Sequence, residues 1–124
     1  MMKPIQILSC LLISGCAVCV LSCKKETRVD ASRPLEKSFQ ASEPAVQQAI
    51  GTATTGLKAG NYTQAARALE PVMARGELTP QQRQAIGLTL QQISQAVADN
   101  PSLDSKELYE LRAKMFHAAR GKGF

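Results

Sequence analysis

The side chains best suited to chemistry fall at the two ends of the chain. All four cysteines lie in the first 23 residues, at Cys10, Cys16, Cys19 and Cys23. Cys16 and Cys19 form a C-x-x-C, a spacing used by redox dithiols and zinc sites. A redox pair belongs beside a strand–helix unit, and a haem attachment needs His after the second Cys, but here Val20 follows. From Pro4 to Ser22 there is no charge, so these thiols read as small hydrophobes. The single histidine, His117, has Ala113, Lys114 and Arg120 one helical turn away and no carboxylate to orient it as a base. Glu107 and Glu110 are three apart but have Lys106, Arg112 and Lys114 for company, which reads as a salt-laced exposed face. No Gly-rich phosphate loop, G-x-S-x-G or H-E-x-x-H is present. We therefore expect no catalytic residue, no metal site, no cofactor and no enzyme.

At the other end, Arg112, Lys114, His117, Arg120 and Lys122 crowd together with no acid after Glu110. Arg112, Lys114, Arg120 and Lys122 are candidate anion-binding residues, suited to phosphate or anionic lipid. Phe116 and Phe124 are too few to stack bases, so nucleic acid is not expected, and no small-molecule substrate is evident.

The elements that must position these residues follow from length and pattern. With 124 residues and a net charge of +5, one domain is the most the chain can build. Lys3, the apolar run Ile7–Ile13 and small residues before a cysteine have the three parts of an export signal. A spanning helix needs about 20 predominantly apolar residues. The stretch from Pro4 to Ser22 is a marginal span, interrupted by Gln6, Ser9, Ser14 and Gly15. Polarity changes at once after Cys23, to Lys24-Lys25-Glu26-Thr27-Arg28.

This segment resembles a bacterial lipoprotein signal. In that family a lipobox ends in a Cys that is acylated on sulfur after the preceding peptide is removed. Val20-Leu21-Ser22-Cys23 lies at the polarity break, whereas Ile13-Ser14-Gly15-Cys16 fits the motif better but after a short signal. Cys23 is the preferred lipidation site and Cys16 the alternative. The resemblance implies a membrane partner through the lipid anchor and a place in the cell envelope facing the periplasm. Lys24 is not the Asp that retains lipoproteins at the inner membrane, so the outer membrane is favoured. Residues 1–22 are then the signal peptide. Residues 23–42 are the acylated Cys and a flexible polar tether, in which charges alternate, apolar residues are isolated and Pro34 interrupts any helix. A short helix around Leu35–Phe39 would change the reach of this tether but not its role.

Residues 43–120 read as a helical domain, and 121–124 as a disordered tail. Val46, Ile50, Ala53 and Leu57 share one helical face, with Ser42 as cap and Pro44 in the first turn. Gly60-Asn61 closes this helix. A second helix carries Tyr62, Ala65, Ala66, Leu69 and Met73, with a kink or break expected at Pro71 and an end at Gly76. Thr79-Pro80-Gln81-Gln82 is a capping-box start for a third, with Ile86, Leu90, Ile93 and Val97 on its face. A fourth runs from about 105 to 119, capped by Asp104 with Glu107 in the box position, and Leu108, Leu111, Met115 and Ala119 form its stripe. No segment alternates with the period of a strand.

The turn Gly60-x-Tyr62-x-x-Ala65, followed by Leu69, resembles that of a tetratricopeptide repeat. The resemblance implies that Gly60 makes the turn, Tyr62 plugs the gap between helices, and Ala65 lets them approach beside Leu69. Gln48-Ala49-Ile50-Gly51 recurs as Gln84-Ala85-Ile86-Gly87, near the roughly 34-residue period of such repeats. The expected fold is all-α: two antiparallel helical hairpins, either a tetratricopeptide-like stack or a small four-helix bundle. The expected function is that of a lipid-anchored envelope protein whose helical domain binds another envelope protein. The alternative is a peripheral binder of anionic envelope surface through its basic C-terminal helix.

Overall fold

The computed structural model describes residues 29–121. These are all-helical, with no strand among them. Five α-helices follow in order: α1 (Ser32–Ser38), α2 (Pro44–Ala59), α3 (Tyr62–Ala74), α4 (Pro80–Asp99) and α5 (Lys106–Ala119). A 3-10 turn, Pro101–Leu103, joins α4 to α5. The signal, Cys16, Cys23 and Lys122 lie outside the described residues, as does the tail from 122 on. No described helix is long and apolar enough to cross a membrane.

The chain reverses between α2 and α3 in two residues. Gly60 adopts φ +77°, a left-handed conformation that costs a glycine nothing. Its N–H donates to the Leu57 carbonyl at 3.3 Å, while Asn61 N–H donates to Gly56 O at 2.8 Å. This pair of bonds is a Schellman closure, which satisfies carbonyls that the helix end would otherwise strand. Asn61 then starts α3, its side chain accepting from the Gln64 N–H. Gly56 faces the same turn. A β-carbon there would come within 2.9 Å of Asn61 O and 3.1 Å of Ala65 Cβ. Its bare backbone is what lets α2 and α3 close on each other.

The Thr79–Gln82 capping box forms in full at the start of α4. Three expected local features differ. Ser42 does not cap α2, whose N-cap is Glu43 with no side-chain bond. Ser105 rather than Asp104 caps α5, accepting from Leu108 N–H at 3.1 Å, because the Asp104 carboxylate is drawn to Arg112, 2.8 Å away. Pro71 lies inside α3, which continues without a break to Ala74.

The tether is the main correction. From Ala31 onward it is folded into the core. Ala31, Ser32, Leu35 and Phe39 are buried, because residues 31, 35 and 39 fall four apart and share one face of a short helix. Pro34 is the third helical residue, where its missing N–H would have had no partner within the helix. α1 packs against both α2 and α4, while α3 packs on α5. One continuous core joins Leu35 and Phe39 to Ile50, Leu57, Leu69, Ile86, Ile93, Leu108 and Met115.

Candidate interaction surface

The C-terminal basic cluster is reshaped by its surroundings. Arg112 is largely buried and pairs with Asp104. Lys114 reaches across to Glu70 on α3. Arg67 and Glu107 make a two-point ion pair between α3 and α5, with Arg67 Nε to Glu107 Oε2 at 2.8 Å and Nη2 to Oε1 at 2.7 Å. Hydrogen bonding to Arg67 holds the Glu107 carboxyl below its ordinary value and raises the Arg67 guanidinium. Glu107 thus stitches two helices together, and only part of the expected cation group is left to face an external anion.

What α5 does present outward is aromatic. Tyr109 and Phe116 are 64% and 47% exposed, the large hydrophobics most open to solvent among the described residues. They are seven residues apart, two helical turns along one face. The Arg112 guanidinium lies 5.9 Å from the Tyr109 ring centroid, and that of Arg120 lies 5.2 Å from the Phe116 ring. His117 meets Phe116 edge-on, with centroids 5.9 Å apart. The i, i+7 spacing of Tyr109 and Phe116 was readable in the sequence. It stood out less than the charges around it.

At the hairpin turn, Gly60 is left-handed, and Ala65 and Leu69 are fully buried. Tyr62 is half-buried and packs against the edge of the core. Among the described residues no group of three or more His, Cys, Asp or Glu could hold a metal ion.

No family model matches this sequence, and no curated protein or solved structure is similar to it at a significant level.

Proposed function

We propose that this chain is a lipid-anchored envelope protein, acylated at Cys23, whose helical domain docks on another envelope protein through the outer face of α5. The α2–α3 and α4–α5 pairs are read as two stacked hairpins of tetratricopeptide-like build. The left-handed Gly60 and the close seam at Gly56 and Ala65 support this reading. The observation that carries the partner is the Tyr109–Phe116 face with Arg112 and Arg120 laid over its rings. Aromatic residues and Arg are the types that dominate protein-interface energetics.

The same geometry weighs against the anionic-surface alternative, since Arg112 and Lys114 already hold carboxylates. The test is a pull-down from membranes with the acylated full chain. A partner should be retained as salt is raised and lost when Tyr109 and Phe116 are both changed to Ala. Retention that collapses with salt, survives the aromatic changes and fails with Arg120→Glu would instead mark counterion release from an anionic surface.

A further inference from the structure

Residues 29–39 sit on the rest of the fold in the manner of a bound peptide. Their backbone is held by carboxamides of one helix. Val29 N–H donates to Gln95 Oε1 at 3.3 Å and Ala31 N–H to Gln92 Oε1 at 2.8 Å. At the far end, Gln82 Nε2 donates to Ser38 O at 3.2 Å. Such main-chain bonds accept any sequence, so selectivity falls to Leu35 and Phe39, which are buried against the core. Main-chain affinity with side-chain pockets is the usual division of labour in peptide recognition.

α1 has seven residues, far below the ~12–15 that an isolated helix needs to persist in water. Its helix is therefore templated by the groove between α2 and α4. Its inward face fills that groove, with Leu35 and Phe39 buried, while its outer edges stay open. Open clefts of ≈ 490 Å³ and ≈ 410 Å³ flank it on the α4 and α2 sides. The Ser32 hydroxyl is buried with no hydrogen-bond partner, a burden an occupant selected only for stability would shed. Residues 39–43 are all that join it to α2.

We infer that the α2/α4 groove is an exchangeable peptide site, that residues 29–39 are its resident occupant, and that it takes the same segment of a second copy in trans. The groove already fits that segment, and the short connection to α2 suits an exchange between protomers. This site is separate from the α5 face and stands or falls independently of it.

The experiment titrates a fluorescent peptide of residues 29–42 against the full chain in detergent, following anisotropy. In the wild type the resident competes at an effective concentration on the order of millimolar. Leu35→Asp in the chain weakens the resident, so it should tighten peptide binding at least tenfold. The same change in the peptide should abolish binding. Tagged Leu35→Asp chain should also retain untagged wild-type chain, and excess peptide should release it. The site is refuted if Leu35→Asp chain stays helical yet binds no peptide. It is equally refuted if that chain loses helix and peptide fails to restore it, since α1 is then a fixed part of the core. Peptide binding without retention of the wild-type chain would overturn the second copy as occupant.

Discussion

Gly51 and Gly56 lie on the same helix, yet alanine should act in opposite directions at the two positions. Within a helix, Gly→Ala gains roughly 1 kcal/mol from backbone entropy and hydration. At Gly51 nothing lies within 4 Å of the added methyl, so the gain stands unopposed and Gly51→Ala should stabilise by about that amount. At Gly56 the methyl would meet Asn61 O at 2.9 Å and Ala65 N at 3.1 Å. Both are backbone atoms of the turn, and Asn61 O already accepts from Ala65 N–H at 3.1 Å. Neither can step aside as the tip of a flexible side chain would. Overpacking of this kind costs typically ~1–3 kcal/mol. The propensity gain is common to both variants and cancels in the comparison. Gly56→Ala should therefore be less stable than Gly51→Ala by ~1–3 kcal/mol. For a domain of this size that separates their melting temperatures by on the order of 10 °C. Urea unfolding should show it as displaced midpoints with an unchanged slope. If Gly56→Ala stabilises as much as Gly51→Ala does, α2 and α3 do not approach as closely as their turn requires, and the reading of that seam is wrong.

Three other outcomes are expected. Tyr62→Ala should cost about 2 kcal/mol, less than truncation of a fully buried aromatic, and Tyr109→Ala should stay within about 0.5 kcal/mol of wild type; equal midpoints in urea would place the Tyr62 ring in solvent. Glu107 has a carboxyl depressed by Arg67, so the stability it contributes is present above its unfolded pKa and lost as pH falls through the folded one. Glu107→Gln should accordingly flatten the acid limb of the stability–pH curve slightly, the pair being exposed, and a steeper limb would contradict that sign. Cys23→Ala should abolish metabolic labelling with radioactive acyl chains, and labelling that responds only to Cys16→Ala would move the anchor to the alternative site.

Features written in local sequence were legible, and those set by distant partners were not. The box at Thr79 and Gln82 needs only its own turn, so spacing alone identified it. Gly60 is similar, since the left-handed turn is a property of the residue itself. Asp104 and Ser105 are both competent caps. The choice between them is made by Arg112, two turns further on, which takes the carboxylate away. The basic cluster looked free because Glu70, its partner through Lys114, lies on another helix. Residues 23–42 read as the acylated Cys and tether because, within them, Ala31, Leu35 and Phe39 are three apolar residues four apart, too few to show a period. What orders them is tertiary: Gln92 and Gln95 on α4 supply the bonds, and the core accepts Leu35 and Phe39.

The two sides of the fold are consequently joined by different chemistry. On one side α1 wedges between α2 and α4 through apolar burial and amide bonds from Gln82, Gln92 and Gln95, with one exposed ion pair to α2, Lys58–Glu36 at 3.8 Å. Amide bonds carry no ionic screening, and so long an exposed pair contributes little, so salt should change the docking of α1 only slightly. On the other side, Arg67–Glu107 and Glu70–Lys114 span α3 and α5 at the rim of a core that includes Leu69, Leu108 and Met115. Exposed ion pairs weaken as salt screens them, while the leucines and methionine beneath do not. Ionic strength therefore acts chiefly on the rim of the α3–α5 contact and only slightly on the α1 groove. Because α1 is also the described helix nearest Cys23 in the chain, a pull on the proposed anchor would act first on the less salt-sensitive of the two joints.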